Sequence, residues 1–211
     1  METGENNPIH IQTENFNIGL ASRYHLSIQL GIHHFSYCLL NTTTFTYDYA
    51  KKYPLASKDN TATEITEIIN NDAILKAEFS SQSVAFVNFP STLVPSKLYK
   101  KEEAETLLAF NTKVNGTVLA DNIVSQKAHL IYSVPESILT IVSNFFPKAK
   151  YKSQESILIQ QYSQLNTEKK KAYLYLNEQK VGITIFDGDK LIFNNSFNYT
   201  SKEDLLYYVL L

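Results

Sequence analysis

Leu26, Ile28 and Leu30 alternate with Ser27 and Gln29, the period of two of a strand that buries one face. After a short turn Phe35, Tyr37 and Leu39 repeat the alternation, and Phe45, Tyr47 and Tyr49 repeat it against Thr46 and Asp48. Three such runs joined by short turns predict an antiparallel meander. The period then changes. Thr61-Ala62-Thr63-Glu64 has the form of a capping box ahead of Ile65, Ile68 and Ile69, which share one helical face. Residues 83–89 form an almost continuous apolar run, as in a strand covered on both faces, and Pro90 ends it. A short helix is expected over residues 102–110 and strands between 113 and 135. Ser133-Val134-Pro135-Glu136 then opens a helix, with Ser133 as the cap and Pro135 in the first turn. Ile138, Leu139, Ile141, Val142, Phe145 and Phe146 give it a wide apolar face, and Pro147 stops it. Another helix starts near Ser153 and carries Ile157, Leu158, Tyr162 and Leu165.

The opening pattern then returns. Leu174 and Leu176 alternate with Tyr173 and Tyr175, and Val181, Ile183 and Ile185 follow a turn. Asp187-Gly188 is a hairpin signal ahead of Leu191 and Phe193. Thr200-Ser201-Lys202-Glu203 reads as a second capping box, before Leu205, Leu206, Val209 and Leu210. A meander leading to a capped helix thus occurs twice, starting at Leu26 and Ala172 (172 − 26 = 146 residues apart). Duplication of a fold explains this better than chance. Residues 1–20 read as a flexible arm.

Composition narrows the chemistry. The 211 residues are 44% hydrophobic and 19% charged, enough for one large core or two small ones. A net charge of -2 and a single short basic run, at residues 168–171, give no stripe for nucleic acid. One cysteine, Cys38, allows neither an intrachain disulfide nor a thiolate zinc site, and reads as a buried thiol. The polar amino terminus lacks a signal-peptide pattern, and no apolar run approaches the roughly 18 residues of a membrane span. The expectation is a cytoplasmic protein without membrane insertion. His25, His33 and His34 suggest a metal site only if a turn makes the adjacent pair converge, and no carboxylate stands nearby, so no metal is expected. GxSxG and GxxxxGK[ST] motifs are both absent from the sequence. The 14 Tyr and 12 Phe suit half-buried strands, with Tyr207 and Tyr208 available to an interface.

Three short motifs carry a family resemblance. Phe89-Pro90-Ser91 precedes the segment from Leu130 to Val134-Pro135-Glu136, and Phe146-Pro147-Lys148-Ala149 follows it. Together with the duplicated meander this resembles the actin-like ATPase fold, in particular its pilus-assembly and type II secretion members. The tail, from Asn195-Ser196-Phe197 to Asp204-Leu205-Leu206-Tyr207-Tyr208, resembles a family of uncharacterised Bacteroidota proteins assigned this fold. The resemblance implies an α/β chain of two ribonuclease-H-like halves. The first spans residues 21–170 with a small insertion near 91–128. The second starts at 171 and is incomplete in this chain, which stops inside an apolar helical face. Either the chain is a fragment or a second chain covers that face.

The resemblance also implies ATP between the halves, held by an Asp-x-Gly hairpin from each, with the carboxylate organising Mg²⁺. Here the first hairpin reads Gln29-Leu30-Gly31, with its first hydroxyl only at Ser36. The second, at Asn177-Glu178-Gln179, has no Asp-x-Gly. Gln29, Gly31, Ser36, Asn177 and Glu178 therefore mark a degenerate nucleotide cleft, and neither ATP hydrolysis nor a bound cofactor is expected. The expected function is a non-enzymatic scaffold or adaptor. It would bind a protein partner or a second copy through Leu205, Leu206, Tyr208 and Val209. The alternative is a nucleotide-binding switch or weak ATPase with a non-standard site between the halves.

Overall fold

The computed structural model describes residues 9–56, 60–165, 168–177 and 180–210. The chain runs β1 (Ile9–Gln12), β2 (Tyr24–Leu30), β3 (His34–Asn41), β4 (Tyr47–Pro54), α1 (Thr61–Asn71), β5 (Ser81–Phe86), β6 (Ser91–Pro95) and α2 (Ala104–Ala109). It continues with β7 (Thr117–Ile123), β8 (Ala128–Val134), α3 (Glu136–Phe145), β9 (Lys150–Ser153) and α4 (Gln154–Gln164). The last elements are β10 (Lys170–Leu176), β11 (Lys180–Asp187), β12 (Lys190–Asn198) and α5 (Lys202–Leu210).

The first meander pairs as its alternation dictates, Leu26 opposite Leu39 and Ile28 opposite Tyr37. It extends into a six-stranded sheet ordered β1-β4-β3-β2-β5-β9. β5 and β9 join in parallel, because the chain returns to the same end of the sheet through helical crossovers. Tyr24, Leu26, Ile28 and Leu30 of β2 pack with Ile65 and Ile69 of α1 and with Ile138 and Val142 of α3 in one apolar cluster. Each such side chain contributes about 1.5–3 kcal/mol by leaving water. The second meander forms its own sheet, β10-β11-β12, at the same offset from the first. Gly188, at φ +59°, makes its tight turn between Asp187 and Lys190. A third sheet, β6-β8-β7, carries α2 over its own small core of Val94, Leu108 and Ile131.

Several local expectations change. The stretch read as a flexible arm contributes β1, which pairs with β4 from Ile9 onward, and a 3₁₀ turn over Ile18–Arg23. The sheet formed within the segment expected as an insertion near 91–128 runs past residue 128, since β8 pairs with both β6 and β7. Phe45 leaves the strand for the turn at φ +56°. Helix α1 begins at Thr61, so Asn60 is its cap residue, and the Glu64 carboxylate accepts from the Ala56 N–H instead of closing a box. Ser133 stays in β8 with a buried, unpaired Oγ, and Pro135 stands at the cap position of α3. The last capping box is shifted by one residue. Ser201 Oγ accepts from the Asp204 N–H at 3.0 Å, and Asp204 accepts from the Thr200 and Ser201 N–H groups.

Polar ties close the core. Asp72 ends α1 and accepts at Oδ2 from Tyr37 (2.7 Å), Tyr53 (2.6 Å) and Lys51 (3.2 Å), and at Oδ1 from the Ile74 N–H. Asp48 accepts from Tyr24, Asn41 and Thr46. Burial disfavours both carboxylates, but these hydrogen bonds outweigh it and hold each pKa below its usual value of 3.8. A depressed carboxyl contributes stability above its unfolded value and loses it as pH falls through the folded one. The unfolding midpoint is therefore expected to fall as pH drops from about 4, and Asp72→Asn to flatten that acid limb in a thermal melt series. Asp72→Ala strands the Tyr37 hydroxyl and the Lys51 ammonium, for an expected loss of about 2–4 kcal/mol by urea denaturation.

Candidate functional site

The first hairpin holds three of the residues singled out from sequence. Gln29 is exposed on β2 and stands directly opposite Ser36 on β3. Gly31 is buried, and its N–H donates to the His34 carbonyl at 3.0 Å, so the turn itself uses the group that a phosphate would need. Proximity favours glycine here. A Cβ would lie 3.2 Å from the Val87 carbonyl oxygen, at the point where the Val87 N–H bonds Leu30. His33 is exposed in the turn. His25 lies far down β2 with its ring nitrogens 2.7 and 2.9 Å from Ser81 and Ser83 Oγ, and burial lowers its pKa. Among the described residues no group of three His, Cys, Asp or Glu could hold a metal. Cys38, read as buried, is half-buried opposite Ser27, and burial pushes its thiol pKa up.

In the second hairpin the Asn177 N–H donates to the Lys180 carbonyl, and the Asn177 carbonyl accepts from Tyr199 Oη at 2.5 Å. Glu178, the remaining expected site residue, lies outside the described residues. Of the expected residues, then, Gln29, Gly31 and Ser36 share one hairpin and Asn177 belongs to the other.

A cleft does form where the first half meets the second sheet, and other residues line it. Strand parity turns Tyr175, Lys180, Gly182, Thr184 and Asn194 toward α4, while Ser153, Gln154 and Glu155 at the start of α4 form the facing wall. Gln154 Nε2 donates to Tyr175 Oη at 2.8 Å, and Asn194 Nδ2 to Glu155 Oε1 at 2.6 Å. The other Glu155 oxygen accepts from Ser91 Oγ. Lys180 is half-buried; burial lowers its pKa, partly opposed by the charge of Glu155. Behind the cleft Ile123, Leu130, Ile159 and Phe186 pack together, and the Tyr162 and Tyr173 rings stack at 4.3 Å. Sequence inspection passed over Gln154, Glu155, Lys180, Thr184 and Asn194 as site residues. The available signal was the alternation of Lys180, Gly182 and Thr184 with the apolar Val181 and Ile183.

One buried carboxylate sets this wall. Asp121 of β7 accepts from the Ser153 N–H (2.7 Å) and Ser156 Oγ (2.5 Å) at the amino end of α4. It has no cation partner among the described residues, and the positive end of the helix takes that role. Asp121→Ala is expected to cost about 2–3 kcal/mol in chemical denaturation. It should also loosen the Gln154–Tyr175 contact, read as a shifted Tyr175 Oη or Gln154 side-chain amide signal in NMR.

Comparison with known proteins places the fold. A protein of Bacteroides thetaiotaomicron VPI-5482, described as having an actin-like ATPase fold and unknown function, superposes with a TM-score of 0.85 at 22% identity. The match covers 92% of this chain and 77% of that one. The chain therefore has the actin-like ATPase fold. Two remoter likenesses carry no argument. Ethanolamine utilization protein EutJ of Carboxydothermus hydrogenoformans has a TM-score of 0.44 and 8% identity, covering 88% of this chain and 56% of that one. The cytoplasmic domain of EpsL, an inner-membrane component of the type II secretion system of Vibrio cholerae, has 0.43 and 10%, covering 83% and 70%. No curated protein sequence matches the chain. Among the described residues no helix is long and apolar enough to cross a membrane. Residues 13–211 match the family model described as "Protein of unknown function (DUF3822)", and the chain belongs to that family.

Proposed function

We propose that this protein is a cytoplasmic scaffold or adaptor of actin-like fold that docks a protein partner or a second copy of itself and does not hydrolyse ATP. One observation carries the reading. On the face of the second sheet away from the cleft, Leu174 and Leu176 are 42% and 54% exposed, beside α5 with Leu206, Tyr207 and Leu210 at 58%, 62% and 74%. Apolar side chains gathered in this way mark an interaction surface. The docking residues differ in part from those expected. Tyr208 stacks on Phe197 at 4.6 Å and Leu205 is half-buried, so Leu206 and Val209 remain available with Tyr207 and Leu210. Against ATP chemistry stand the neutral Gln29 in place of a carboxylate and the occupied N–H of Gly31.

Light scattering at increasing concentration tests this. The protein is expected to exceed its monomer mass of 24.0 kDa, and Leu176→Glu with Leu206→Glu to restore the monomer. Exposed substitutions of this kind leave stability within about 0.5 kcal/mol. A monomer at every concentration would leave only a different partner. In that case a pull-down from cell extract unaffected by the double substitution would overturn the reading. The polar cleft between the halves favours a second reading, a nucleotide-dependent switch. A thermal-shift screen with ATP, ADP and GTP plus Mg²⁺ separates the two, since a rise of several degrees with nucleotide supports the switch.

A further inference from the structure

The cleft between α4 and the β10–β12 sheet is lined by Lys180, whose ammonium has no hydrogen-bonded partner among the described residues. Lys180 is half-buried against the cleft, and among the described residues its side chain makes no hydrogen bond or ion pair. A cation withdrawn from water in this way lacks the compensation that folded proteins ordinarily supply. The nearest candidate counter-ion, Glu155, does not supply it. Its two oxygens are engaged by Asn194 Nδ2 and Ser91 Oγ, and no oxygen of it lies within ion-pair distance of Lys180.

Three further features suit the cleft to receive a ligand. Tyr175 Oη accepts from Gln154 Nε2, which leaves the phenol O–H free to donate. Gly182, on the wall between Tyr175 and Thr184, leaves the floor open. A Cβ there would meet the Tyr175 Cβ at 3.7 Å and the Tyr175 carbonyl oxygen at 3.9 Å, both ordinary contacts, so the missing side chain is not demanded by packing. The cavity volume of about 50 Å³ is several times the roughly 10–15 Å³ that one water needs. That is space for a group of four or five heavy atoms.

We propose that this cleft binds a small oxyanion, a carboxylate or phosphate group, with Lys180 as the charge partner and Tyr175 as a second donor. The site lies on the opposite face of the sheet from the apolar docking surface and stands independently of it. An anion held there sits between the two walls of the cleft, so its binding braces β11 against α4.

Thermal unfolding of the full chain with inorganic phosphate, acetate or ATP without metal, each against sodium chloride at equal ionic strength, tests the proposal. A saturable rise in midpoint with phosphate or acetate is expected, and the tighter of the two identifies the group. Lys180→Met should weaken that binding at least tenfold, about 1.4 kcal/mol. Gly182→Ala, which sets a methyl on the cleft floor without a clash, should weaken it as well and gives the answer if Lys180→Met does not fold. The absence of any rise beyond the chloride control would overturn the proposal. So would an undiminished rise in either variant, or a rise with ATP alone. Oligomeric mass in the same samples reports on the docking reading separately, because neither substitution touches the Leu176 and Leu206 face.

Discussion

The junction of the two halves depends on a carboxylate buried without a cation. Asp121 leaves water at the end of β7 and is compensated by the Ser153 N–H and the Ser156 hydroxyl at the first turn of α4. Desolvating a carboxylate costs several kcal/mol, so these donors and the helix end must be held in place together. The consequence is geometric. With its amino end tied to β7, α4 presents Gln154 and Glu155 to the second sheet and Ile159 to the apolar cluster of Ile123, Leu130 and Phe186. The β6-β8-β7 sheet, α4 and the second meander are thereby locked to one another. The turn between β7 and β8 adds a grip on the last hairpin, where Gln126 bonds both the Asp189 carbonyl and the Leu191 N–H.

The duplicated meander uses the same local pattern for different ends. In the first copy the apolar face of the sheet is covered by α1 and α3, and Asp72 and Asp48 stitch its edge with tyrosine and threonine hydroxyls. In the second copy both faces are used. One face carries tyrosine, lysine, threonine and asparagine toward α4; the other carries leucine and phenylalanine toward α5 and solvent. A strand's period of two makes this division possible with no change of backbone. It gives one thin sheet a polar cleft on one side and an apolar surface on the other.

Much of the fold was legible in sequence because periodicity and turn chemistry are local. The alternating runs Leu26–Leu30 and Phe35–Leu39, the Asp187-Gly188 turn, the helix after Ser153 and the repeat at the same spacing are present, and the third run forms a strand only from Tyr47 onward. The caps were less legible. Ser133 and Thr200 have the right residue types one or two positions from the true cap, and only the closed backbone decides which hydroxyl meets an N–H. β1 was missed because four residues paired at a sheet edge, all exposed, leave no hydrophobic signature. The candidate site was the least legible part. Gly31 was read for its approach to a ligand, whereas its closeness is to Val87, a neighbour 56 residues away in sequence. Glu155, Lys180 and Asn194 come from three separate elements, and no spacing rule connects them.

By itself the sequence determined the class of most elements and the repeat of the meander, since these depend on residue type and on neighbours a few positions apart. The tertiary structure alone decided which face of each strand turns inward. The tyrosines at 173 and 175 go to α4 and the leucines at 174 and 176 to the outside, because Tyr162 and Gln154 wait on one side of the sheet. It also decided that Lys180 enters a cleft instead of solvent. Alternation fixes that two faces exist, but the burial of one rather than the other is set by what packs against it, and that information lies tens of residues away along the chain.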